Sequence, residues 1–167
     1  KNSALKKEGK EPFKPIFGCE VYVAPRHKED KDKDKDRKRY HLILLAKNLN
    51  GYRNLIKIVS RAWVDGFYKK PRTDHHDLEK YHEDIICCSA CLAGEVPAKI
   101  LNDDIEGARE TLRWYKGVFG DDYYLELQRH EVTDPHQRAN RETFPLQQKV
   151  NAVLLQLAKE EGVKLIC

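Results

Sequence analysis

A chain of 167 residues with 40% hydrophobic residues has the size of one domain with a single core, and needs neither disulfide nor metal merely to fold. With 35% charged residues and no run approaching the roughly 18–20 apolar residues of a bilayer span, a membrane protein is excluded. The net charge of +4 comes from 31 basic and 27 acidic residues, too even a mixture to single out nucleic acid as a partner.

In chain order, the Lys-Glu-Gly segment near the start reads as the end of a helix. Residues 16–23, Ile-Phe-Gly-Cys-Glu-Val-Tyr-Val, predict a strand between Pro15 and Ala24-Pro25. Residues 26–39 contain a Lys/Asp alternation with nothing apolar to bury, which predicts a solvated, mobile loop. Residues 40–46, Tyr-His-Leu-Ile-Leu-Leu-Ala, are nearly continuously apolar and predict a strand buried on both faces. A helix opening at Asn50-Gly51 and closing at Gly66 carries Tyr52, Leu55, Ile56, Val59 and Trp63 as its apolar stripe.

Residues 74–81 predict a short helix capped by Thr73 or Asp74, and residues 84–89 a third strand. From Asp103 or Asp104 a further helix puts Ile105, Ala108, Leu112 and Tyr115 on one face and ends between Gly117 and Gly120. Residues 122–128 alternate as a fourth strand, and residues 130–141 form a polar loop. A last helix over 145–161 stops at Gly162 and hands over to a fifth strand at 163–167. After the first two strands, strand and helix alternate, which predicts parallel β/α units in an open sheet or part of a barrel. No Gly-rich phosphate loop follows the first strand, so a nucleotide-binding Rossmann domain is unsupported.

Among polar residues on these strands, Glu20 sits between apolar neighbours, where a carboxylate either faces solvent or binds a cation. His41 at the edge of the second strand is either a satisfied histidine or a metal ligand. Cys88-Ser89-Ala90-Cys91 is a C-x-x-C, but a structural zinc site needs two more ligands and no second such pair exists. No helix is predicted directly after it, which disfavours a redox role. A Cys91 nucleophile served by His41 is conceivable chemistry with nothing in the sequence to bring the two together. His75, His76 and His82 flank a polar helix and are expected on the surface, whereas His130, just past the fourth strand, suits either a cleft or an ordinary loop.

Taken in order, Lys14 to Val23, Tyr40 to Asn48, Gly66-Phe67-Tyr68, Lys70-Pro71-Arg72, Cys88 to Pro97 and Tyr124 to Gln128 resemble the PHP (polymerase and histidinol phosphatase) domain of the bacterial replicative DNA polymerase III alpha subunit. The resemblance implies an α/β fold, a distorted β/α barrel whose cleft holds divalent metal ions such as zinc, manganese or magnesium. It implies Glu20, His41 and Cys91 as metal ligands; His130 and Arg72 stand beside them as possible cleft residues. It also implies a 3′-to-5′ exonuclease acting as proofreader, or else a non-catalytic module that binds a separate proofreading exonuclease subunit and braces the polymerase core. The implied partners are the other polymerase domains, that exonuclease subunit, and DNA through the whole polymerase.

The family's early His-x-His and Thr-Asp-His are expected ahead of residue 1 and its Asn-Asp-x-His just past residue 167, so these ligand motifs fall outside this sequence. With no methionine and an apolar Leu165-Ile166-Cys167 ending, residues 1–167 read as an incomplete piece of the barrel, with metal binding weakened or absent. Such a piece is expected to expose strand edges and apolar faces and to be poorly stable or self-associating. Five cysteines, with Cys87, Cys88 and Cys91 crowded together, look unlike a secreted disulfide framework and point to a reducing cytoplasm.

Overall fold

The computed structural model describes residues 2–167, a mixed α/β chain with one five-stranded sheet. Helix α1 (Asn2–Lys7) precedes β1 (Phe17–Val23) and β2 (Tyr40–Ala46). Helices α2 (Leu49–Val64) and α3 (His75–Lys80) lead to β3 (Ile85–Cys88), then α4 (Glu95–Leu101) and α5 (Ile105–Phe119) to β4 (Tyr123–Glu126). Helix α6 (Phe144–Glu161) leads to β5 (Lys164–Ile166). The strands lie side by side in chain order, and β1/β2 and β2/β3 are antiparallel while β3/β4 and β4/β5 are parallel.

The predicted parallel units therefore hold only from β3 onward. Between β2 and β3 the chain runs through α2, an irregular stretch and α3, and that second helical segment returns it to the end at which β2 finished.

In the β1/β2 ladder, Tyr22 stands opposite His41 and Val21 opposite Leu42. Because side chains alternate along a strand, Val21, Val23, Leu42 and Leu44 fill the core from one face. Glu20, Tyr22, His41 and Ile43 share the other face and stay exposed or half-buried. Burial of β2 on both faces is thus corrected to burial on one.

Helix α2 is capped by the Asn48 side chain, which accepts from the Asn50 and Gly51 amides. Its buried face is Gly51, Leu55, Ile58 and Ala62 with Asn54, not the predicted stripe. Of that stripe, Tyr52, Ile56 and Trp63 lie outside the core. The rotation follows from Gly51, where an added Cβ would lie 2.0 Å from the Asp84 carbonyl oxygen. The helix enters where its smallest residue permits close approach, and hydrophobic periodicity carries no information about that.

Helix α5 buries Ala108, Leu112 and Tyr115 as expected, adds Phe119, and is capped by Asp104. Helix α6 ends at Gly162 in the left-handed conformation (φ 64°). Arg113 and Arg109 grip the α6 carboxylate of Glu161 at 2.8 and 2.9 Å, and hold its carboxyl down to about 2. A depressed acid contributes stability above its unfolded value of 4.5 and loses it as pH falls through about 2. The gap in urea midpoint between the parent chain and Glu161→Gln should therefore be full at neutral pH and close on acidification.

The segment 26–39 corrects the expectation of a mobile loop. Lys28 and Asp36 are only 2% and 1% exposed. The Lys28 ammonium lies 3.3 Å from Asp77 and 3.6 Å from Asp74, and Arg26 binds Asp36 through both Nε and Nη2. Arg72, 1% exposed, donates to the backbone carbonyls of Lys28, Asp30, Asp36 and Gly66. Composition describes the Lys/Asp run correctly as unable to form a core, but not that a buried arginine collects its carbonyls. No helix among the described residues is long and apolar enough to cross a membrane.

Candidate functional site

The backbone brings together three residues that the sequence could not. His41 is the second residue of β2, and its amide donates to Ala93 O at 3.0 Å, tying the strand to the loop that follows β3. Across the ladder its ring packs on Tyr22 with centroids 5.0 Å apart. Glu20, two residues from Tyr22 on the same face, places Oε1 2.7 Å from His41 Nδ1. From the loop, Cys91 Sγ stands 3.5 Å from that same nitrogen.

The loop holds its shape by Ala90 at φ 60°, by the Gly94 amide donating to Cys91 O at 2.8 Å, and by buried Ser89, whose hydroxyl accepts from the Glu126 amide. The cluster lies at the sheet end where parallel β3 and β4 present their carboxyl termini, the usual place for working residues in such sheets.

Carboxylate oxygen, imidazole nitrogen and thiol sulfur are donor types that suit zinc and similar ions. Glu20 and Cys91, however, both approach one ring nitrogen and do not surround a common point. Among the described residues, no group of three or more His, Cys, Asp or Glu is arranged to hold an ion. The donors fit a metal in kind, and closing around one requires His41 to give up its bond to Glu20. That shared nitrogen also argues against a Cys91 nucleophile, since a base oriented by an acid would use its two nitrogens for the two tasks.

The remaining candidates lie apart from this contact. Arg72 is spent on the four carbonyls named above. His130 is exposed, and its Nδ1 meets the Gln147 side-chain amide at 2.9 Å. Burial pushes the Cys88 thiol up to about 11 and Cys87 well above its ordinary value, so neither supplies a thiolate at neutral pH. A cavity of about 480 Å³ between Phe17, Leu49 and Tyr52 is at the opposite end of the β1/β2 ladder and contains none of the candidates.

Two features escaped the sequence reading. Helix α4 begins at Glu95 directly after the C-x-x-C loop, and Gly94, acidic Glu95 and Pro97 in the first turn were its signals. Glu95 is buried, and its carboxylate accepts from the Tyr115 hydroxyl at 3.1 Å and meets His75 Nε2 at 2.8 Å. His75 also stacks on Trp114 at 3.8 Å, so it is a half-buried, committed side chain and not the surface histidine predicted. His76 is exposed as expected, and His82 is half-buried against Phe119.

Residues 2–130 match the family described as PHP domain. The chain belongs to the PHP domain family. It is similar to the DNA polymerase III subunit alpha of Borreliella burgdorferi, with 45% identity over 96% of this chain and 13% of that protein. The same-named proteins of Treponema pallidum and Deinococcus radiodurans are 39% and 36% identical over 93% and 92% of this chain. This PHP chain thus spans roughly an eighth of the length of the curated relatives it matches, 13%, 12% and 11% of the three.

Proposed function

We propose that this PHP domain is part of a replicative DNA polymerase III alpha subunit, and that Glu20, His41 and Cys91 form one wall of a metal-dependent cleft for phosphodiester hydrolysis, releasing nucleotides 3′ to 5′ as a proofreader. In the complete domain the sheet would belong to a distorted β/α barrel whose other segments bring the remaining ligands. The observation that carries the reading is the convergence of a carboxylate and a thiol on one imidazole nitrogen, across residues up to 71 positions apart in sequence.

A divalent ion bound there would polarise the phosphodiester and lower the pKa of a water. The chain's own residues do the rest. Glu20 brings a half-exposed negative charge that offsets a cation. His41 keeps its ring direction because the backbone bond to Ala93 and the Tyr22 ring fix it. Cys91 is presented by a loop whose turn is set at both ends, so little entropy is lost when it becomes a ligand.

A second reading is a non-catalytic scaffold that binds the separate exonuclease subunit and braces the polymerase core. What favours it is that the donors satisfy one another without an ion, and that Phe17, Trp63 and Phe67 are 56%, 58% and 44% exposed.

The discriminating experiment uses the full-length polymerase subunit. Bound zinc and manganese are measured by equilibrium dialysis, and degradation of single-stranded DNA is assayed beside a Glu20→Ala, His41→Ala double variant. The hydrolytic reading expects stoichiometric metal and a loss of at least about 10²-fold in rate in the variant, the scale of removing one transition-state stabilising group. A parent protein that binds no metal and cuts nothing leaves the scaffold.

A further inference from the structure

We infer that Arg39 is a phosphate-binding side chain set beside the Glu20, His41 and Cys91 cluster, placed to take the backbone phosphate of a nucleic-acid strand. The inference rests on the hydrolytic reading for its substrate and on geometry for its site. Arg39 lies two residues before His41 and so, by strand alternation, on the same face of the sheet. Its guanidinium carbon is 5.3 Å from the centroid of the Tyr22 ring, which also packs on His41. One face thus carries, in a row, the Glu20 carboxylate, the His41 imidazole, the Tyr22 ring and the Arg39 guanidinium.

What sets Arg39 apart is an unmet bond. Its Nε is buried and, among the described residues, finds no hydrogen-bond partner. A buried N–H without an acceptor is costly, and more so on a charged group. The other buried or half-buried guanidiniums are served: Arg61 by Asp77, Arg72 by backbone carbonyls, Arg109 by Glu160 and Glu161.

The nearby acids are committed as well, Glu20 to His41 and Asp36 to Arg26. Burial is the main cause that lowers the Arg72 pKa, opposed by Asp36, Tyr68 and Asp30, and Arg39 adds a smaller like-charge contribution in the lowering direction. Nε and one Nη of arginine form a fork that matches two oxygens of a phosphate. The contact with Tyr22 restrains the plane of that fork, and an anion reaches the buried Nε–H only where the cover over that atom opens. Neighbouring Arg37 and Lys38 are exposed and, being charges without this fixed plane, would attract a strand without positioning it.

The test is binding at Arg39 itself, so it does not depend on hydrolysis. The full chain labelled with nitrogen-15 is titrated first with inorganic phosphate and then with a short oligothymidylate, while the arginine Nε–H resonances are followed. The expected result is a saturable shift of the Arg39 Nε signal with both probes, with the oligonucleotide binding more tightly. Arg39→Gln should weaken oligonucleotide binding about tenfold and reduce its slope against log salt by about 0.7, one phosphate contact of a single strand. Arg39→Lys, which keeps the charge and loses the fork, should restore the slope but not the affinity.

A parent chain whose Arg39 signal stays still while those of other arginines move overturns the inference without any variant having to fold. An Arg39→Gln chain that binds as the parent does overturns it too. If Arg39 binds phosphate and the full-length protein hydrolyses nothing, the inference stands and the hydrolytic reading falls. If hydrolysis proceeds with phosphate ignoring Arg39, the reverse holds.

Discussion

Replacing Arg72 with Ala should destabilise the domain by about 3–4 kcal/mol, the scale of two charge-assisted hydrogen bonds that water does not replace. Four carbonyls, those of Lys28, Asp30, Asp36 and Gly66, lose their common donor, and the guanidinium also leaves the Tyr68 ring, 5.1 Å away. The effect should be concentrated in residues 26–39, which have no apolar anchor of their own. Limited trypsin digestion should then cut within the run Lys31 to Lys35, where the parent is resistant, and the urea midpoint should fall. Arg72→Lys should rescue little, because an ammonium is a point charge that cannot span carbonyls arranged around a planar fork. An Arg72→Ala chain with an unchanged midpoint would show that the loop is held from elsewhere, by Lys28 and Asp77 above all.

Gly94→Ala should cost about 1–3 kcal/mol, as expected for overpacking against a fixed neighbour. The added Cβ would lie 2.0 Å from Ser89 O and 3.1 Å from Cys91 O, both backbone atoms that cannot swing aside. The turn between Ser89 and Gly94 must open, and opening it carries Cys91 away from His41 and strains the Ala93 carbonyl that His41 uses. On the proposed metal-dependent reading, the variant is therefore expected to weaken metal binding in the full-length protein even under conditions where it remains folded, which an unrelated destabilising change would not do. Gly117→Ala is the fitting control. Its Cβ meets nothing within 4 Å inside α5, so it should be stabilising by about 0.5–1 kcal/mol.

How far the sequence was legible differs from element to element. The strands at 17–23, 40–46 and 123–126 and the helices α5 and α6 were plain, because β-branched runs, helical spacing and caps such as Asp104 and Gly162 act locally. Helix α4 was missed because only seven residues form it and Pro97 reads first as a breaker. The face of α2 was missed because a glycine contact with Asp84 set it. The pairing of β2 with β3 was missed because no local pattern states the direction in which a strand returns.

The site divides in the same way. Motifs in their order named Glu20, His41 and Cys91 and tied the chain to its family, since residue identity and spacing are properties of the sequence itself. The order of strand and helix patterns determined its mixed α/β character, and composition determined that no apolar run is long enough to span a membrane. Only the tertiary structure decided that the three donors meet at a single nitrogen, that Arg72 is an internal clamp, and that Arg39 is left with an unmatched donor. These are facts of distance and burial between residues far apart in the chain, created when the sheet pairs and the loops close over it, and they exist in no single segment.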